Sequence, residues 1–270
     1  IVNFPYESRF IREMSSSYTC LCLPAWSADG NYLLSCGSDK SLKLWSGSRG
    51  TPLKTYSAMD TSSYDNSHLC SCSSDKTVIL WTSPQARSHA TQGPRRVRSL
   101  DGTVRCWDTR SRRFEPIQVL DEHELLTGQS VDGRVRRYDL RMGQLHVDFI
   151  SSPITCVCFS QDGQCTLSSQ SGFNSQTTGQ EYSGHKMKGY KLDCCLSSKD
   201  THVLSCSEDG HVYFWDLVEG SLSLKLPVGK AVVQSLSFHP TETCLLTAME
   251  GRVQVWGAEP EDTEEDAVAT

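Results

Sequence analysis

Hydrophobic and polar residues alternate in short runs along this chain, and six runs share one form. Each opens on a turn built around Asp, Gly or both, alternates for a few residues and closes on Trp or Tyr. The runs are Ser-Asp-Lys-Ser-Leu-Lys-Leu-Trp at 38–45, Ser-Asp-Lys-Thr-Val-Ile-Leu-Trp at 74–81 and Leu-Asp-Gly-Thr-Val-Arg-Cys-Trp-Asp at 100–108. They return as Val-Asp-Gly-Arg-Val-Arg-Arg-Tyr-Asp at 131–139, Glu-Asp-Gly-His-Val-Tyr-Phe-Trp-Asp at 208–216 and Glu-Gly-Arg-Val-Gln-Val-Trp at 250–256. Period-two alternation puts residues i and i+2 on one face of a strand, so each run predicts a tight turn followed by a strand. A second set of turns sits at Trp26-Ser27-Ala28-Asp29-Gly30, Phe159-Ser160-Gln161-Asp162-Gly163 and Phe238-His239-Pro240. There Asp-Gly supplies the positive φ that a strand-to-strand turn requires.

A repeat of this kind is the signature of WD40 blades arranged radially in an all-β propeller. At about 40–45 residues per blade, the 270 residues hold roughly six to seven blades, nominally seven, in one domain over residues 1–257. The intervals between repeat acids from Asp39 onward are 36, 26, 31, 77 and 41 residues. A 26-residue interval cannot hold four strands of about five residues with their turns. Residues 82–99 carry two Pro and no alternation, residues 120–128 are too few for a first strand, and residues 168–182 turn polar. About three blades are therefore expected to be incomplete, which leaves unpaired strand edges. The repeat residues Asp39, Trp45, Asp75, Trp81, Asp101, Trp107, Asp132, Tyr138, Asp209, Trp215 and Trp256 take structural roles: the acids fix turns and the aromatics pack between blades. Gly184-His185 supplies the dipeptide whose His, in such blades, joins a buried relay with the repeat Asp and Trp, here Asp209 and Trp215.

Composition narrows the function classes. The net charge of −6 argues against a nucleic-acid binder driven by overall charge. Thirteen cysteines fall largely in strand-like runs, as Cys20/Cys22, Cys70/Cys72, Cys156/Cys158 and Cys206, and read as small apolar fillers in a reducing compartment. Zinc would want Cys-x-x-Cys pairs, so no metal or other cofactor is expected. No signal peptide and no 18-residue apolar run is present, so neither secretion nor membrane spanning is expected. Residues 258–270 read as an acidic disordered tail, with six acids among the eight residues 259–266. No Gly-x-Ser-x-Gly, phosphate-cradling Gly loop or His-Glu-x-x-His occurs, and Asp121, Glu122, His123 and Glu124 read as a polar loop, so no enzyme is expected.

Arginine concentrates between residues 95 and 141, eleven Arg against eight acids. Arg134 and Arg136 share one face of the predicted strand, with Val135 and Arg137 on the other. They read either as a solvated face or as a docking patch for carboxylates or phosphates. Trp107-Asp108-Thr109-Arg110 and Tyr138-Asp139-Leu140-Arg141 repeat an aromatic-Asp-x-Arg phrase. It is similar to the box by which WD40 proteins dock a cullin ubiquitin-ligase adaptor, with Arg110 and Arg141 as contacts.

Phrases outside the repeat are more specific. Residues 131–159 (Val-Asp-Gly-Arg-Val-Arg-Arg-Tyr-Asp-Leu-Arg-Met-Gly-Gln-Leu, then Ser-Pro-Ile-Thr-Cys and Cys-Phe-Ser) resemble the mitogen-activated protein kinase organizer family of WD-repeat scaffolds. So do Tyr-Lys-Leu-Asp-Cys-Cys-Leu-Ser at 190–197, Val-Leu-Ser-Cys-Ser-Glu-Asp-Gly at 203–210 and Trp-Asp-Leu-Val-Glu-Gly at 215–220. The resemblance covers residues 100–256 and 29–45 and is absent across 82–97. It implies a non-catalytic scaffold, monomeric within larger complexes, for components of an ERK-type kinase cascade. It also implies association with spliceosomal proteins in pre-mRNA splicing or with a prolyl hydroxylase, in cytoplasm and nucleus, without direct RNA contact. Two alternatives stand beside it: a substrate receptor of a cullin-type ubiquitin ligase, and a degenerate paralogue without independent activity.

Overall fold

The computed structural model describes residues 24–36, 41–55, 133–139, 141–150, 152–170 and 179–257 with their side chains, together with Phe10, Met14 and the backbone of the other strands named below. Strand β1 (Arg9–Ser15) precedes an antiparallel four-stranded sheet of β2 (Ala25–Trp26), β3 (Tyr32–Cys36), β4 (Leu42–Ser46) and β5 (Pro52–Tyr56). A second such sheet holds β6 (Thr61–Asp65), β7 (His68–Cys72), β8 (Thr77–Thr82) and β9 (Arg95–Arg96). β10 (Val104–Cys106) and β11 (Gln118–Leu120) pair alone. Then follow β12 (Leu125–Leu126), β13 (Gln129–Ser130), β14 (Arg134–Asp139), β15 (Gln144–Phe149), β16 (Ile154–Phe159) and β17 (Thr166–Gln170). β18 (Cys194–Leu196), β19 (His202–Cys206), β20 (His211–Asp216) and β21 (Leu222–Pro227) form a regular sheet. So do β22 (Ser235–Phe238), β23 (Leu245–Met249) and β24 (Arg252–Gly257), completed by β1 on the outside of β24. The architecture is an antiparallel WD40 β-propeller, with seven sheets among the described residues, five of four strands and two of two.

The stretch from β12 to β17 departs from a regular blade. β14 and β15 form an isolated hairpin, while β12 and β13 join the sheet of β16 and β17 through the single pair Ser130↔Ile154. Strands of two residues cannot sustain a long ladder, so this hairpin couples to the free edge of β16 instead of to β14. No strand occurs among the described residues between β17 and β18.

Closure joins distant parts of the sequence. β1 runs antiparallel to β24, with Phe10 opposite Trp256 and Met14 opposite Val253. Met14 is buried with Leu33, Trp45, Leu246, Val253 and Val255, which packs the first blade against the last. Inner strands β16, β18, β22 and β2 lie in succession along the ring. The largest core lies between the β18–β21 and β22–β24 blades, around Leu204, Val212, Phe214, Val233, Leu245 and Trp256.

The turns explain why these residues end strands where they do. Ser27 Oγ donates to Asp29 at 2.6 Å and accepts from the Tyr32 amide at 2.9 Å, while the Gly30 amide reaches Ser27 O. Ser160, Asp162, Gly163 and Cys165 repeat this arrangement one for one. Gly210 has φ 79°, and a Cβ there would collide with the carbonyl oxygen of Gly229. The Asp-Gly turn before β20 therefore requires glycine twice over, for its backbone region and for the close approach of the next connection.

Candidate interaction surface

The β14–β15 hairpin places the arginines. Its register sets Arg134 opposite Phe149, Arg136 opposite Val147 and Tyr138 opposite Leu145. All six therefore share one face, and Val135, Arg137, Asp139 and their partners share the other. Val147 and Phe149 are 47% and 64% exposed, large values for side chains of this type. The Arg134 guanidinium lies 5.9 Å from the Phe149 ring centroid, a cation–π contact worth about 0.5–1 kcal/mol at an exposed site. Across the hairpin Arg137 pairs with Asp148 at 3.2 Å, and Val135 is buried. The result is a solvent face that mixes guanidinium with aromatic and aliphatic surface.

The same apolar character continues on β16. Val157 and Phe159 alternate outward, 45% and 61% exposed. A cavity of about 220 Å³ opens between inner strands β16, β18 and β22, bordered by Cys158, Phe159, Cys195, Leu196, Leu236 and Phe238.

Arg141 stands on the turn from β14 to β15. Asp139 Oδ1 accepts the amides of Arg141 at 2.9 Å and Met142 at 3.0 Å, which fixes that turn and leaves Arg141 exposed. Asp216 does the same with Val218 and Glu219, both at 2.8 Å, in a turn that carries no Arg. The Asp of the aromatic-Asp-x-Arg phrase therefore serves its own turn. Arg110, Trp107, Asp39, Asp75, Asp101 and Asp132 lie outside the described residues. Trp81 stands on β8, of which the backbone alone is described.

Two repeat aromatics, Trp45 and Trp256, are fastened by a hydroxyl that the repeat pattern does not single out. Trp45 Nε1 donates to Ser35 Oγ at 2.8 Å, and Trp256 Nε1 donates to Thr247 Oγ1 at 2.9 Å. In both cases the hydroxyl sits on the preceding strand, two residues beyond the position opposite the Trp. The signal was available as Leu-Leu-Ser at 33–35 and Leu-Leu-Thr at 245–247, with Leu-Cys-Ser at 69–71 and Val-Leu-Ser at 203–205 in register with Trp81 and Trp215.

In the blade of Trp215 the polar pattern differs from the relay anticipated for His185. The His185 ring meets Trp215 edge-on at 5.4 Å and lies 6.3 Å from Tyr213. Its Nδ1 is buried without a hydrogen-bond partner among the described residues. Burial holds His185 below the usual imidazole range, against the opposing pull of the Asp209 charge. Asp209 instead accepts from Tyr213 Oη at 2.8 Å and Lys225 Nζ at 3.0 Å. Burial pushes the Asp209 carboxyl up, but hydrogen bonds from Ser207, Lys225 and Tyr213 outweigh it and bring it far below the usual carboxylate range. A second Gly-His dipeptide, Gly210-His211, belongs to the turn itself, with His211 Nδ1 2.9 Å from Asp209 O.

Clamps between blades were also not foreseen. His239 Nδ1 accepts the Glu242 amide at 2.8 Å, so its Nε2 carries the proton and donates to Gly30 O at 3.2 Å, across from the last blade to the first. The same ring meets Trp26 edge-on at 4.4 Å. Asp200 makes the equivalent clamp between the two preceding blades, its Oδ2 accepting from the amides of Gln161 at 2.7 Å and Asp162 at 3.2 Å.

Comparison with known proteins agrees with this geometry. The family "WD domain, G-beta repeat" matches residues 9–46, 54–82 and 176–216. The chain is similar to a zebrafish (Danio rerio) protein named WD repeat domain-containing protein 83, 67% identical over 288 residues that take in 89% of each chain. It is 54% identical to the human (Homo sapiens) protein of that name, over 90% of each chain. An uncharacterized WD repeat-containing protein of Schizosaccharomyces pombe is 37% identical over 49% of this chain and 51% of its own. The zebrafish alignment is 288 columns long yet holds 89% of 270 residues, so roughly one column in six faces a gap in this chain. The relative carries internal segments that this chain lacks.

Proposed function

The chain belongs to the WD repeat domain-containing protein 83 family, and we propose that it acts as a non-catalytic scaffold for an ERK-type mitogen-activated protein kinase cascade. WD-repeat proteins are in general non-enzymatic scaffolds that mediate protein–protein interaction. A scaffold contributes effective concentration by holding several partners at once. The observation that carries the reading is the mixed face of the β14–β15 hairpin, where exposed Arg134 and half-buried Arg136 line up with exposed Val147 and Phe149. Arginine beside exposed aromatic surface is the composition of interface anchors, and it suits acidic segments of kinases or of spliceosomal proteins. Association with splicing complexes, or with a prolyl hydroxylase, runs through protein contacts in this reading. It places the chain in cytoplasm and nucleus, monomeric within larger assemblies.

The test is capture of purified ERK-cascade kinases by the whole chain and by an Arg134→Glu/Arg136→Glu variant. Capture by the parent chain and a loss of tenfold or more in the variant support the proposal. No capture by the folded parent chain, or equal capture by both, refutes it. One observation favours a second reading: Asp139 is committed to its turn and leaves Arg141 exposed, as a cullin-adaptor contact requires. Substituting Arg110 and Arg141 together by Ala and assaying adaptor binding decides it, with unchanged binding removing that reading.

A further inference from the structure

We propose that Cys156 and Cys194 are a peroxide-responsive modification site, forming a reversible disulfide that staples the two-stranded section of the ring to the intact blade beside it. The two residues lie on adjacent inner strands, β16 and β18, of neighbouring blades. Cys156 and Cys158 share one face of β16, opposite to the exposed Val157 and Phe159. The Cys156 thiol donates to the carbonyl oxygen of Cys194 at 3.6 Å, and the Cys194 side chain interacts with those of Cys156 and Cys158. Three thiols therefore meet where two blades pack, and all are reduced.

The cluster has the asymmetry that disulfide formation needs. Contact with the Cys194 side chain brings the Cys156 thiol below its ordinary range, although burial works against it. Contact with Cys156 and Cys158, together with burial, pushes the Cys194 thiol well above that range. A thiol shifted toward thiolate beside one held protonated is the pairing of attacking and resolving cysteine. Other described thiols are less suited: burial pushes Cys195 and Cys206 well up, and burial with the Glu242 charge takes Cys244 to about 11.

The chemistry balances with hydrogen peroxide as the oxidant. The Cys156 thiolate attacks one peroxide oxygen, the O–O bond breaks, and hydroxide leaves with a proton from solvent as water. The Cys194 sulfur then attacks the Cys156 sulfenic acid, the S–O bond breaks, and the Cys194 proton leaves with the oxygen as a second water. Two thiols lose two electrons in total and one peroxide gains them. A dithiol reductant returns both thiols.

The site stands apart from the scaffold reading, and its test uses no partner. The whole folded chain is treated with hydrogen peroxide, blocked with a maleimide, digested and mapped by fragmentation mass spectrometry. The expected product is one Cys156–Cys194 bridge, kept in Cys158→Ser and Cys195→Ser and lost in Cys156→Ser and Cys194→Ser. In Cys194→Ser, dimedone is expected to label Cys156. The bridge closes a separation of 38 residues, so the unfolding midpoint is expected to rise by roughly 5 °C or more and to fall back with dithiothreitol. Oxidation of the wild-type chain to sulfinic acid without a bridge, or a bridge through Cys158 instead, overturns the assignment. An unchanged midpoint in the bridged protein overturns the staple.

Discussion

Thr247→Val isolates the bond that fastens the last blade's tryptophan. Thr247 is fully buried, and its hydroxyl accepts the Trp256 indole N–H at 2.9 Å. Valine has nearly the same shape, so the substitution removes the acceptor and opens no cavity. It leaves a buried N–H unsatisfied, which costs about 1–3 kcal/mol. Trp256→Phe removes the donor and some ring volume at a site 7% exposed, for a loss of roughly 1–2 kcal/mol, mostly packing. In the double variant neither group is orphaned, so its loss is expected to fall short of the sum by about 1–2 kcal/mol. For a domain of this size each kcal/mol shifts the midpoint by about 2–4 °C. Urea unfolding followed by far-ultraviolet circular dichroism measures all four corners of the cycle without relying on the fluorescence of the substituted Trp. A Thr247→Val variant within about 0.5 kcal/mol of the parent, with additive losses in the double variant, refutes the reasoning. A parent chain with no cooperative transition is the result demanded by the degenerate-paralogue alternative.

Three further predictions rest on charge and closure. Burial pushes the Asp193 carboxyl up despite its hydrogen bond from Ser235 and the nearby Lys191 charge. A folded pKa above the unfolded value means the native state binds more protons, so stability falls as pH rises through that window. Asp193→Asn is therefore expected to raise the thermal midpoint at pH 7, with the gain shrinking toward pH 4 and below; a gain independent of pH refutes it. Asp209 has the opposite sign: its carboxyl is depressed, so its contribution is present above the ordinary Asp range and lost as acid brings pH toward the folded pKa. Asp209→Asn is expected to cost about 1 kcal/mol at pH 7, a modest figure because solvent reaches Lys225, and to cost nothing in strong acid; acid titration of both proteins in urea checks it. His239→Ala removes the proton donor to Gly30 and the edge contact on Trp26, and is expected to speed proteolysis of β1 more than of β19, read by timed digestion with mass mapping.

What was legible in the sequence was local. Asp29-Gly30 and Asp209-Gly210 announce turns because few residues other than glycine adopt their φ of 74° and 79°. Trp45, Trp215 and Trp256 announce strand ends because alternation leads up to them. Features made by distant pairing left weaker traces. β1 carries no turn-and-aromatic ending, and its partner β24 lies at the far end of the chain. His239 reads as one more turn residue until Gly30, 209 positions away, is seen to accept its proton. The hydroxyls of Ser35 and Thr247 hide among many serines and threonines, because the register that pairs them with Trp belongs to the sheet and not to either strand. Gly184-His185 shows the opposite failure: the dipeptide brings a ring against Trp215 but does not fix which polar atom Asp209 will bond.

The shortened blade also shows what such a ring can spare. Contact between blades depends on the inner strands and on the face they bury, whereas outer strands mostly extend the rim. β16 and β17 keep the inner pair, and Leu167 of β17 still packs against Leu196, Val203, Tyr213 and Trp215 of the next blade. Alone it would cover little of Trp215. Tyr182, from the connection that stands where outer strands would run, supplies the rest: its ring sits 6.0 Å from Trp215, and its hydroxyl donates to Leu217 O at 2.6 Å. One aromatic, held by one hydrogen bond, thus adds to the apolar cover of Trp215. The opposite face of β16 leaves Val157 and Phe159 exposed.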